Sequence, residues 1–197
     1  MIIVGITGTN ASGKEEVAKY FQEKGFIHYS MSGYITSVIE KAGGTVNRDE
    51  LIRVGNELRK NFGPGHIAAA LYTQACEKGK PCIIESLRTV GEIEILRKIV
   101  GERFLLLGID ADRHVRYHRA VGRKSAKDNV TFEEFMAQEE KEWTSTDPHK
   151  QNLAACLDMV DELIVNNTAS ITMLREKVDK IMLHILAMEL QIIREPC

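Results

Sequence analysis

The sequence predicts an α/β fold, a doubly wound parallel sheet in a single domain spanning 1–197, and three observations carry that expectation. Short aliphatic runs at 2–7, 81–85, 104–110 and 163–166 read as strands. They are separated by helical patterns of roughly 10 to 20 residues, the length of a βαβ crossover. Runs such as Phe104-Leu-Leu-Leu-Gly-Ile109 are apolar throughout, as strands covered on both faces must be. The only sharp breaks are local, at Gly43-Gly44, Gly63-Pro64-Gly65 and Asp147-Pro148, so nothing marks a linker between domains.

Composition narrows the function. A chain of 197 residues that is 44% hydrophobic can bury a core without disulfides or a structural metal. With 26 basic and 28 acidic residues the formal net charge is −2, so no global positive field points to nucleic acid or an anionic membrane as a partner. Any anion must be held locally. Cys76, Cys82, Cys156 and Cys197 lie far apart without CxxC spacing, which argues against a zinc site and a disulfide framework. The first residues are apolar for too short a run to be a signal peptide, and no stretch reaches the ~20 apolar residues of a membrane span. A cytoplasmic protein with reduced thiols is the expectation.

The strongest local signal follows the first strand. Gly8-Thr9-Asn10-Ala11-Ser12-Gly13-Lys14 leads into a helical pattern, the strand–loop–helix setting of a phosphate-binding loop. Its glycines let the backbone wrap phosphate oxygens, successive N–H groups point inward, and the helix N-terminus adds its positive end. Lys14 reaches the outer phosphates of ATP. Where a hydroxyl normally meets magnesium, this chain has Glu15, followed by Glu16, and both are expected with residues 8–14 around the ATP phosphates. A carboxylate at 15 can ligate magnesium, favour the helix dipole, or repel the polyphosphate.

A second signal is Pro-Cys-Ile-Ile-Glu85-Ser-Leu-Arg88-Thr89, in which a buried strand ends on an acid, an arginine and a hydroxyl. Ligands bind at such carboxyl ends in open α/β sheets. The phosphate loop, this strand end, Tyr29-Ser-Met-Ser32-Gly33, the segment Gly55 to Pro64 and the ending Met-Val-Asp161-Glu-Leu-Ile-Val-Asn166 together resemble the P-loop nucleoside monophosphate kinase group. Within it the chain is similar to adenylate-kinase-related proteins and dephospho-CoA kinases.

That resemblance covers residues 1 to about 182 and implies a three-layer P-loop kinase sandwich with a small helical lid. It implies that Glu85 holds magnesium through water and that Arg88 contacts the acceptor phosphate or the transferred group. Ser32, Gly33 and Arg59, from an acceptor-binding segment at about 30–75, would approach the acceptor; Arg59 reads equally as a solvated helix charge. The family's acid at the strand end is Glu here and its glycine Ser. Adenylate kinases also place Asp-x-x-Arg after the Ser/Thr-Gly, where this chain has Tyr34-Ile-Thr-Ser.

Arginines at 113, 116, 119 and 123 fall along one helix face. On their spacing alone they are a solvated face; the resemblance makes 113–130 the lid, with Arg119 and Arg123 touching phosphate. His114 and His118 read as a surface pair. The stretch from Thr131 to Trp143 is an acidic amphipathic helix opened by a capping box, with Trp143 in the core and, by the resemblance, Gln138 toward the substrate. The polar loop 144–152 either borders the acceptor or simply connects. From Ile171 onward apolar residues recur at helical spacing, a closing helix on the sheet or a dimer contact, so the chain is a monomer or homodimer.

The expected activity is transfer of the terminal phosphate of ATP, with Mg2+, to a nucleoside or deoxynucleoside monophosphate. Dephospho-CoA is the second acceptor. A nucleotide-binding regulatory protein with little turnover is the third reading.

Overall fold

The computed structural model describes residues 1–123 and 130–194. Five parallel strands, β1 (Ile3–Gly8), β2 (Ile27–Ser30), β3 (Cys82–Leu87), β4 (Phe104–Asp110) and β5 (Glu162–Val165), form one sheet in the order β2-β3-β1-β4-β5. The doubly wound α/β expectation therefore holds, with one strand more than the sequence suggested. Strand β2 is a four-residue edge strand, Ile-His-Tyr-Ser, half-buried throughout, and it lacks the aliphatic run that marks the others.

Alternation along the inner strands sorts their side chains onto two faces. Ile3, Cys82, Ile84 and Leu106 join α2 (Met31–Lys41), α3 (Arg48–Phe62), α4 (His66–Lys78) and α5 (Val90–Val100) in one core cluster. Ile2, Val4, Ile6, Ile83, Leu105 and Leu107 form the other with α1 (Lys14–Glu23) and α9 (Ile171–Arg194). Helix α9 lays Leu174, Val178, Ile181 and Ile185 onto the sheet, as a closing helix would; Leu183, Leu186 and Leu190 remain exposed. Among the described residues no helix is long and apolar enough to cross a membrane.

The C-terminal strand ends carry the site. Strands β3 and β4 flank β1 on opposite sides, so the chain diverges where β1 stops, the place at which doubly wound sheets open a crevice. Helices α6 (Arg113–Gly122) and α7 (Phe132–Trp143) lie over this edge, and Ala11, Ala120 and Phe135 pack there in a small cluster of their own. The lid expected at 113–130 begins in α6; residues 124–129 lie outside the described residues.

Trp143, expected in the core, is only half-buried, and its neighbour Glu142 is the buried residue. His114 and His118 are exposed, and His114 stacks on Phe132 at 4.7 Å. No metal-holding group of three or more His, Cys, Asp or Glu occurs among the described residues.

Candidate active site

The loop that follows β1 is shaped by two glycines that no other residue could replace. Gly8 has φ 139° and its missing Cβ would sit 2.0 Å from the Ile109 carbonyl oxygen; Gly13 has φ 107° and a Cβ there would meet Asn166 Nδ2 at 2.5 Å. Asn166 Nδ2 donates to the Ser12 carbonyl, Ser12 Oγ to Thr9 O, and Thr9 Oγ1 to Asp110 Oδ1 at 2.6 Å. The strand ends on either side thus pin the loop.

Lys14 folds back over the loop, its Nζ donating to Gly8 O at 3.0 Å and Thr9 O at 2.5 Å. Burial, reinforced by the charge of Arg88, lowers its pKa to about 7. Glu85 and Arg88 come from the end of β3. The strand is irregular there, and Ser86 takes the left-handed conformation at φ 73°. The resembled family's glycine at this position has its reason in that backbone. Ser86 Oγ donates to Glu85 Oε1 at 2.7 Å. Burial acts to raise the Glu85 pKa, but Ser86, the nearby His28 and Lys14 outweigh it and hold the carboxyl at about 2. His28 Nε2 stands 3.5 Å from Glu85 Oε2, an electrostatic contact without hydrogen-bond geometry.

Asn10, Ala11, Gly13, Lys14, Glu15, Glu85, Ser86, Arg88 and Arg123 line one cavity of ≈ 370 Å³. A second, of ≈ 170 Å³, shares Asn10, Ser32, Arg48, Leu51, Ser86 and Arg88 with it and continues between Met31, Ile35 and Ile52. The two form one cleft with a phosphate-loop end and an arginine-rich end. Arg119 leans on the loop from α6, donating to Thr168 O at 2.6 Å and Ser12 O at 3.4 Å. Burial and the charge of Arg123 pull its pKa below the ordinary value.

Several expected site residues stand elsewhere. Glu16 turns away from the phosphates to pair with Arg175 on α9 at 2.9 Å, because the residue after Glu15 falls on the helix face that packs against α9. The Gly33 amide donates to Ser30 Oγ and completes the cap of α2, leaving Ser32 to face the cleft. Arg59 is neither solvated nor free: at 2% exposure it pairs with fully buried Glu92, Nε to Oε1 at 2.8 Å, while still forming part of the cavity wall. Gln138 makes no hydrogen bond to the cleft groups among the described residues. Glu142, four residues on along the same face of α7, occupies the place instead. Arg113 and Arg116 line a separate cavity of ≈ 420 Å³ beside Trp143, and Arg116 pairs with Glu139.

Three groups that line the cleft escaped the sequence reading. Arg48 Nη2 and Arg88 Nη1 both donate to Glu142, to Oε1 at 2.7 Å and Oε2 at 2.8 Å. Burial acts to raise the Glu142 pKa, and the two arginines override it and lower it. Gln151, in the loop before α8 (Leu153–Asp158), completes the cavity, so that loop borders the cleft. Only the polar loop offered a signal; nothing local separates Arg48 from the exposed Arg53 of the same helix.

No family model matches the chain. A UPF0200 protein of Pyrococcus abyssi is 31% identical over 170 residues, 84% of this chain and 88% of the relative. The chain belongs to the UPF0200 family. The UPF0200 protein of Pyrobaculum aerophilum is 27% identical over 185 residues, 93% of this chain and 98% of its own length. Among solved structures, the UPF0200 fold is similar to TT1252 from Thermus thermophilus, with TM-score 0.61, 18% identity and coverage of 93% and 97% of the two chains. A gluconokinase from Sinorhizobium meliloti gives 0.60 at 14% identity, covering 96% and 97%. At these identities the likeness shows the fold alone, a five-stranded parallel sheet flanked by helices.

Proposed function

We propose that this chain is an ATP-dependent phosphotransferase whose acceptor is a nucleoside or deoxynucleoside monophosphate. The observation that carries the reading is the continuous cleft in which Lys14, Glu85 and Arg88 stand between a phosphate loop and an arginine-lined cavity. The gluconokinase that shares the fold supports nucleotide binding and phosphate transfer in general. The monophosphate acceptor rests on the shape and charge of the second cavity.

In this reading the loop amides and Lys14 hold the outer phosphates of ATP. Arg88, Arg119 and Arg123 gather charge as it spreads over the transferred group, and the acceptor oxygen attacks in line. Glu85, ionised and beside Lys14, and Glu15, on the wall of the same cavity, are hard oxygen donors of the kind magnesium takes. When bound, the metal neutralises charge on the phosphates. Cytoplasmic location and a monomeric or dimeric state belong to the same proposal.

The test is ATP consumption against a panel of nucleoside and deoxynucleoside monophosphates, dephospho-CoA and no acceptor. Turnover with a monophosphate alone is expected. Preference for dephospho-CoA, or none above background, would replace the reading with one of its two rivals. In the same assay Arg88→Ala should lower kcat/KM by about 10²-fold. Arg113→Ala, in the neighbouring cavity, should change it less than about threefold, and equal losses would show the cleft misassigned.

Glu15 favours the regulatory reading only if it repels ATP. A metal-binding or neutral role predicts that Glu15→Ser changes the ATP Kd by less than about tenfold, ~1.4 kcal/mol, with its magnesium dependence relaxed. Tighter binding by more than that, measured with and without magnesium, would favour the regulatory protein.

A further inference from the structure

We propose that Gln151 reads the acceptor, and that what it reads is the edge of a nucleobase carrying a hydrogen-bond donor beside an acceptor. This rests on the phosphotransferase reading and names its substrate class more closely. Gln151 lines the ≈ 170 Å³ cavity, and its buried Oε1 has no hydrogen-bond partner among the described residues. Buried polar atoms are almost always paired, so an unpaired amide oxygen on a residue that lines a cavity points to a side chain that a ligand completes.

Its neighbours hold the residue in place. The next amide, Asn152 N, donates to Arg88 O at 2.9 Å, while Asn152 Nδ2 donates to Ser145 O at 2.8 Å and its Oδ1 caps α8 by accepting from Ala155 N. Gln151 is thus tied by backbone to the arginine expected to grip the acceptor phosphate. The tie holds the two backbones at a fixed separation, the support that a specificity contact requires.

Other polar groups of the cavity are committed. Glu142 is held by two arginines, Ser86 donates to Glu85, Ser32 shares a hydrogen bond with Ser30, and Arg59 is matched by Glu92. Asn10 belongs to the phosphate loop. A primary amide donates and accepts in one plane, the complement of the paired groups on a nucleobase edge. Met31, Ile35, Leu51 and Ile52 supply the apolar wall that a ring face needs. A sugar acid or polyol would bring hydroxyls to that wall and leave them unpaired.

The experiment compares binding of the four common nucleoside monophosphates with ribose 5-phosphate, which keeps sugar and phosphate but lacks the base. In the intact chain the preferred monophosphate should bind more tightly than ribose 5-phosphate. Gln151→Leu should weaken that monophosphate by about 10- to 100-fold and leave ribose 5-phosphate and ATP unchanged. Gln151→Glu keeps the side chain's size and loses its donor; it should cost a comparable factor, which guards against a loss caused by misfolding. Equal weakening of the monophosphate and ribose 5-phosphate would make Gln151 a structural residue and overturn the proposal. Unchanged monophosphate binding in both variants would overturn it while leaving the phosphotransferase reading intact. Failure of the intact chain to use any monophosphate would remove both.

Discussion

Lys14→Ala should abolish phosphate transfer while leaving the fold standing. Among the described residues its ammonium donates only to two carbonyls of its own loop, and burial beside Arg88 disfavours its charge, holding the pKa at about 7. Alanine therefore removes a strained charge rather than a piece of the core, and the melting temperature should stay level or rise. Catalysis should fall by about 10²- to 10³-fold or more, the cost of removing one preorganised donor from a developing phosphate charge. Wild-type turnover in that variant would sink the loop assignment.

The same depressed pKa has a sign that calorimetry can read. A bound polyphosphate favours the charged ammonium and raises its pKa, so above pH 7 binding must draw a proton from solution. ATP titrations in buffers of different ionisation heat should show uptake approaching one proton near pH 8 to 9, none near pH 6, and none in Lys14→Ala. For the free protein the linkage runs the other way. An unfolded lysine keeps its proton up to about 10.5, so this group's penalty on folding is fully present below pH 7 and relieved as pH rises from about 7 to about 10.5.

Glu92→Ala should be the most destabilising single change around the second cavity, by about 3–5 kcal/mol, because it leaves the Arg59 guanidinium buried without a counter-charge. Glu92 is 0% exposed and Arg59 2%. Glu92 Oε2 also accepts from the Arg88 and Thr89 amides, closing a capping box at the start of α5. Losing it should loosen the turn that presents Arg88, so activity ought to fall with stability. The double variant Arg59→Met/Glu92→Leu, which removes both charges and keeps the volume, should recover most of the stability in urea unfolding. A single-variant loss below about 1 kcal/mol would mean that the pair is hydrated in solution.

How much of this was legible beforehand follows from the range of each interaction. The phosphate loop was readable because its demands are local: glycine at Gly8 and Gly13, a lysine next, a strand before and a helix after. The strands β1, β3, β4 and β5 were readable from aliphatic runs that only a doubly covered sheet requires. Edge strand β2 carries His28 and Ser30 and buries each residue only partly, so its pattern was too weak to see. Helix α7 was legible by its cap and period, but the residue it brings to the cleft was not; Gln138 and Glu142 share one face, and their separation of four cannot say which end meets the cleft.

What the sequence determined by itself is four of the sheet's five strands, the central loop after β1 and the strand end at Glu85 and Arg88. What only the tertiary structure decided is the wall of the second cavity: Arg48 meets Glu142 across 94 residues, Arg88 meets it across 54, and Arg59 meets Glu92 across 33. Charges alone cannot foretell such pairings, since any of the chain's many arginines could be solvated at little cost. Crossovers that return three helices and a loop to one edge of the sheet desolvate these few, and a desolvated charge must find a partner.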